Sequence, residues 1–309
     1  MSRSIKAHLL LVLITLIWGS TFVLIKKALA DSSPLLLNAV RLSLAAAILA
    51  VVYRKQLSQL RPPALLAGIL VGIFLFLGYT LQTTGLTLTT PSKSAFLTGV
   101  STVLVPLFLL IFWKTRVHPW RAAGIALALA GLFFMTVPAG RENLADFGRI
   151  NSGDLLTMGC AVAFAFYIIL VGRSAERFPF EQIAFLQVAV AAVLTAVSTP
   201  LLEHPHLHPS PSVVATILVT GIFGTAVAFT VQAWAQQFTP ATHAALIFTL
   251  EPVFAWLTSF IYLKERLDTR SGAGALLILA GVLVSELLGQ VSQPDREIAD
   301  APQPVGPPG

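Results

Sequence analysis

A single cysteine, Cys160, stands inside an apolar run of this 309-residue chain, so no intrachain disulfide can form and a CxxC metal or redox site is excluded. Charge is scarce as well. Asp, Glu, Lys and Arg make up 11% of the residues against 56% hydrophobic, too little polar surface to solvate a globular protein of this length. The formal charge of +6 does not describe a nucleic-acid binder, because the Lys and Arg residues are scattered in ones and twos between long apolar runs. No HExxH, GxSxG or phosphate-cradling loop occurs, and no acids pair at helical spacing to face one cavity. Neither an enzyme nor an ATP-driven pump is therefore expected, and nothing in the chain asks for a cofactor.

What is abundant is apolar length. A hydrocarbon core about 30 Å thick needs about 20 apolar helical residues to cross it. Ten such runs can be read: 8–29, 35–53, 64–85, 93–113, 121–138, 153–173, 181–202, 211–234, 242–263 and 270–289. Arg3, Lys6 and the Ala28-Leu29-Ala30 triplet imitate a signal peptide. The run from His8 to Ile25 is long for one, however, and Lys26-Lys27 stands before the supposed cleavage site, so the segment reads as the first span. The final stretch 290–309, rich in Pro and charge, is expected to be a disordered tail.

With the N-terminus in the cytoplasm, Arg3, Lys6 and the Arg54/Lys55/Arg61 and Lys114/Arg116/Arg121 turns lie inside, as positive residues should. Lys264, Arg266 and Arg270 then lie outside and break the rule. An internal repeat explains the exception. Shifting the chain by 150 residues overlays Gln82 on Gln232, Thr89 on Thr239, Lys93 on His243, Ala95 on Ala245 and Lys114-x-Arg116 on Lys264-x-Arg266. The same shift lays Gly124 on Gly274 and Ala130-Gly131 on Ala280-Gly281. A unit of five spans is odd, so its second copy enters the membrane upside down and carries the basic turn to the opposite face. The expected fold class is all-α integral membrane, with ten transmembrane helices as two inverted five-helix repeats, 8–138 and 153–288, and both termini in the cytoplasm.

WGSTFVLIKKAL in the first span, Arg41 in the second, GYTLQTTGLTLTTPSKSAFLTG across the third and fourth, and LEPVFAWLTSFIYLKERL in the ninth resemble the EamA-type permeases of the drug/metabolite transporter superfamily. The resemblance covers both repeats. It implies ten helices, a central cavity lined by spans one to four and six to nine, and spans five and ten packed at the side. It also implies secondary transport across a bacterial inner membrane, chiefly export of amino acids, their derivatives, drugs or other small metabolites, often with proton coupling. Some similar proteins move nucleotide or lipid-linked sugars, so a flippase or scramblase remains an alternative, as does a channel. The expected partners are a small-molecule substrate and the lipid bilayer.

Particular residues carry competing readings. Glu251, near the middle of the ninth span, costs on the order of 3 kcal/mol to insert; it is either a proton-coupling carboxyl or a hydrogen-bond acceptor locking the kink expected at Pro252. Arg41 either holds a substrate carboxylate or a cavity acid, or snorkels to the outer headgroups. Gln82 and Gln232, with Tyr79, Thr83, Thr84 and Gln236, give the third and eighth spans polar faces that turn toward a cavity or a neighbouring helix. Trp18, Ser20 and Thr21 lie halfway along the first span, away from the headgroup level, as a cavity wall would. Lys93 and His243 are either gates or solvated helix ends, and Trp256 reads as packing. The histidines of His204-Pro-His206-Leu-His208 invite a metal reading, but the interleaved prolines and the lack of helical spacing favour a solvated loop.

Overall fold

The computed structural model describes residues 3–114, 119–136 and 151–288. The expected tail at 290–309 and Arg116 lie outside these residues. In chain order the helices are α1 (Arg3–Ala28), α2 (Pro34–Val52), α3 (Arg54–Leu57), α4 (Pro62–Leu88), α5 (Pro91–Gly99), α6 (Ser101–Trp113) and α7 (Pro119–Thr136). There follow α8 (Ser152–Ala175), α9 (Phe180–Leu202), α10 (Pro211–Gly221), α11 (Ala228–Ala235), α12 (Ala241–Phe248), α13 (Glu251–Leu263) and α14 (Thr269–Leu287). Among the described residues eight helices, counting α5–α6, α10–α11 and α12–α13 as one each, are long and apolar enough to cross a membrane. The expected fifth and tenth spans fall on α7 and α14, whose described apolar stretches, Ala122–Gly131 and Gly272–Gly281, are shorter. Large apolar side chains point outward along these helices, Leu9, Val51, Leu66, Val193, Leu201 and Leu276 among them, which only a lipid solvent tolerates in such number.

Local chemistry sets the helix ends. Proline occupies the first turn of α2, α4, α5, α10 and α13, where its missing N–H removes no intrahelical bond. Thr90, Asn151 and Ser210 accept backbone N–H groups of Lys93, Gly153 and Val213 as N-caps. The Lys26 ammonium donates to the carbonyls of Leu86, Thr87 and Thr89 at 2.7, 3.2 and 2.9 Å, a cation at the negative end of α4. Glu203, closing α9, accepts the Ser33 hydroxyl at 2.7 Å and the backbone N–H groups of Leu35 and Leu36 at 3.0 and 2.9 Å, so it serves as the N-cap of α2 from another helix.

Two expected spans are each broken. The fourth divides at Val100 into α5 and α6, and the ninth divides between Phe248 and Glu251 into α12 and α13. Pro252 accounts for the second break, since it offers no N–H to the preceding turn. The expected eighth span is interrupted as well, by a π-helical turn at Ile222–Val227 between α10 and α11, where the Thr225 hydroxyl donates to the Thr220 carbonyl at 2.7 Å. Both α6 and α13 end in a left-handed lysine, Lys114 at φ 53° and Lys264 at φ 55°, whose N–H groups return to Leu109 and Ser259. Every residue of that pair of caps obeys the 150-residue offset.

The halves interlock. Helix α1 packs on α10–α13 of the second half, and α8 packs on α4, α5 and α6 of the first. Gly19 permits the α1 crossing: a Cβ there would lie 2.6 Å from the Glu251 carbonyl oxygen and 2.7 Å from the Phe254 Cβ. Helices α7 and α14 lie against each other, and their contacts are reciprocal. A Cβ on Gly131 would sit 2.5 Å from the Gly274 carbonyl oxygen, and one on Gly281 would sit 2.5 Å from that of Gly124.

Gly131→Val should therefore force α7 and α14 apart and cost about 1–3 kcal/mol through overpacking. The check is the thermal unfolding midpoint of the micelle-purified chain, which should fall; an unchanged midpoint contradicts the close approach.

Candidate functional site

A cavity lies between the halves. Both halves wall it: α1, α2, α4, α5 and α6 from the first, and α8, the π-turn, α11, α12 and the start of α13 from the second. Trp18, Arg41, Tyr79, Gln82, Gln232 and Glu251 all line it. Ser20 does not. Its hydroxyl returns to the Leu16 carbonyl at 2.9 Å and lies near Thr258 on α13. The reason is helical phase: two residues after Trp18 point to the opposite side of α1, whereas Thr21, Phe22 and Ile25 return to the cavity side.

Trp18 is fixed by the π-turn. Its Nε1 donates to the Gly224 carbonyl at 2.8 Å, and its ring stands 5.5 Å from that of Phe229 and 5.3 Å from that of Phe248. Phe229 also meets Tyr79 and Tyr167, both at 5.9 Å, and Tyr79 stands perpendicular to Phe164 at 5.8 Å. The cavity wall is thus an aromatic box built from α1, α4, α8, α11 and α12. Gln82 adds a polar point, donating to the Thr98 hydroxyl at 3.2 Å.

Arg41 does not reach for headgroups. It is 2% exposed, and its guanidinium lies over the Tyr79 ring at 4.2 Å, with Nε donating to Asn38 Oδ1 at 2.9 Å. Asn38 in turn accepts the Thr83 hydroxyl at 3.2 Å and donates to the Tyr79 carbonyl at 3.1 Å. One terminal nitrogen of Arg41, Nη2, has no partner among the described residues. Glu251 enters the cavity from the helix break, as the first residue of α13. Its carboxylate makes no hydrogen bond or ion pair among the described residues, so the lock expected at Pro252 is absent and the two cavity charges are left unpaired with each other.

Below the aromatic box runs a buried polar chain. The Tyr167 hydroxyl lies 2.8 Å from Gln187 and 2.9 Å from Gln232, and Gln232 donates to Gln236 at 3.1 Å, which donates to the Ile168 carbonyl at 3.1 Å. A hydroxyl has one proton. It therefore donates to Gln232 and accepts from a Gln187 amide turned to present its NH₂, a group with no other partner.

Lys93 and His243 lie in the first turns of α5 and α12, off the cavity wall. Lys93 pairs with the buried Asp154 of α8, which also accepts the Thr89 hydroxyl at 2.7 Å, so it bridges helices rather than standing solvated. Trp256 packs with Phe96, Ala275 and Ile278. His204, His206 and His208 are exposed, and among the described residues no group of three His, Cys, Asp or Glu is arranged to hold a metal. Asn38, Tyr167, Phe164, Phe229 and Phe248 belong to the site without having been picked out in the sequence. Only the 150-residue partnership of Tyr79 with Phe229 could have drawn attention to one of them.

Comparison with known proteins gives a consistent picture. The profile of the EamA-like transporter family matches residues 5–137 and again 151–287. An uncharacterized transporter of Archaeoglobus fulgidus is 32% identical over 92% of this chain and 87% of its own length. Uncharacterized transporter YoaV of Bacillus subtilis is 23% identical over 91% of this chain and 97% of its own. An S-adenosylmethionine/S-adenosylhomocysteine transporter of Chlamydia trachomatis serovar L2 is 23% identical over 64% of this chain and 62% of its own. A crystal structure at 23% identity superposes with a TM-score of 0.70, covering 93% of this chain and 98% of that one, which establishes a shared fold.

Tyr167→Phe should strip the polar chain of its central hydroxyl and leave two buried amides short of a partner. The expected cost is about 1–3 kcal/mol, read as a lower unfolding midpoint. A neutral result would show that the glutamines re-pair without it.

Proposed function

The chain belongs to the EamA-like transporter family and is a multi-pass membrane transporter, and from that premise we propose that it is a secondary exporter of small polar or amphipathic metabolites, such as amino acids or their derivatives. The observation that carries this reading is the cavity itself, roofed by aromatic rings and walled by both halves, with Trp18, Arg41, Tyr79, Gln82 and Gln232 as its substrate-facing residues. A site shared by two halves is what alternating access requires, because rocking one half against the other exposes it to each side in turn. The substrates named for the Chlamydia relative, S-adenosylmethionine and S-adenosylhomocysteine, fall within that class.

Ten spans in two inverted repeats, 8–138 and 153–288, complete the proposal. The reciprocal glycine contacts of α7 and α14, the matching helix breaks and the matching left-handed lysine caps support a two-fold relation between the halves. The protein then sits in the inner membrane with both termini in the cytoplasm. Lys93 and His243, at equivalent ends of the two broken helices, are the proposed gates.

Glu251 is the proposed coupling residue. A carboxylate standing free in the cavity can gain and lose a proton as the site turns from one face to the other, which a salt-bridged acid cannot do cheaply.

The test is reconstitution in liposomes with a labelled mixture of the proteinogenic amino acids. Wild-type protein should show saturable counterflow, and an imposed proton gradient should drive accumulation. Glu251→Gln should keep counterflow and lose gradient-driven accumulation, because the amide keeps shape and hydrogen bonding without a titratable proton. Flux that never saturates, or equilibration of labelled lipid across the bilayer, would overturn the transporter reading; undiminished driven uptake by the Gln variant would remove Glu251 from it.

A further inference from the structure

We propose that the Arg41 guanidinium is an oxyanion-binding subsite of the cavity, with Asn38 as its positioning residue, so that the transported molecule carries a carboxylate or phosphate group. The proposal rests on the reading of the cavity as the transport site and deepens it.

Three observations support it. First, Arg41 is almost wholly buried, yet no acid of the described residues pairs with it. A guanidinium keeps its proton, so the missing counter-charge has to come from a ligand while the site is loaded. Second, the group is held rather than loose. Tyr79 lies beneath its plane at 4.2 Å, and Asn38 takes the inner Nε–H, while Asn38 is itself held by Thr83 and the Tyr79 carbonyl. Third, this holding uses the inner edge of the fork and leaves the buried Nη2 without a partner in a residue that lines the cavity. A planar, fixed donor with free N–H groups suits an oxyanion, which can take two such bonds side by side. Aromatic rings around it suit an apolar body attached to that oxyanion.

Asn38 matters because its oxygen is neutral. Were it an acid, it would pair with Arg41 and cancel the charge offered to a ligand. Its buried amide joins α2 to α4, so the direction of the guanidinium depends on that packing.

The test uses the full chain in dodecyl maltoside, titrated calorimetrically with sodium benzoate, with benzamide as the uncharged isostere and with dihexanoylphosphatidylglycerol. Benzoate should bind saturably and at least tenfold more tightly than benzamide. Arg41→Gln should abolish that preference, and Arg41→Lys, which keeps charge but not the fork, should weaken benzoate severalfold. Asn38→Asp should lose the preference with Arg41 intact, while benzamide binding, unchanged, reports a folded cavity. If the phosphatidylglycerol binds through Arg41 and benzoate does not, the oxyanion is a lipid headgroup and the subsite stands with that source. Equal binding of benzoate and benzamide, or benzoate binding indifferent to Arg41→Gln, overturns the subsite. Saturable amino-acid counterflow in that case leaves the transporter reading intact, and loss of counterflow with the benzoate preference present does the reverse.

Discussion

In hydrocarbon no water pairs with a free backbone N–H or C=O, so every departure from helix has to be satisfied by the protein itself. The rest of the structure follows from how this chain meets that demand. At the end of α4 the job falls to Lys26 and to Asn151, whose amide donates to the Leu88 carbonyl at 2.9 Å; at the start of α2 it falls to Glu203. At the π-turn the Trp18 indole takes the Gly224 carbonyl. Each of these groups comes from a different helix than the one it completes. Helix termini and tertiary packing are thus the same set of bonds, and the irregular backbone is confined to places that face the cavity or a helix junction.

The duplicated frame carries an asymmetric site. Gln82 and Gln232 are partners in the repeat and both line the cavity, but the position equivalent to Glu251 is Ser101. One frame, duplicated, therefore encloses a pocket with one cation and one acid on different helices. The repeat supplies the enclosure and single substitutions supply the chemistry.

How much of this was legible in the sequence depended on the range of the interaction. Apolar length and the 150-residue offset are properties of the chain itself, and they led to the long helices and to Gln82 and Gln232. Arg41 and Glu251 were visible because charge inside an apolar run is conspicuous. Ser20 was misplaced because its grouping with Trp18 followed proximity in sequence and not the 100° step of the helix. Asn38 could not be found at all: an amide among leucines has no local signature, and its meaning comes from Arg41 on its own helix together with Tyr79 and Thr83 on another. The breaks at Val100 and at the π-turn were equally hidden. Neither holds a proline, and only packing from the opposite half reveals why the backbone departs there.

The interlocking of the halves also bears on biosynthesis. Helix α1 finds its partners in α10–α13, so the surface around Trp18 and Gly19 stays unmatched until more than two hundred residues have followed it out of the ribosome. At about 5–20 residues per second, that interval is on the order of tens of seconds. For that time the first half sits in the bilayer with a glycine-lined seam open to lipid or to the insertion machinery, and the contacts that close it have high sequence separation. A chain truncated before α13 would consequently leave not half a transporter but an exposed seam, the kind of surface that membrane quality control recognises.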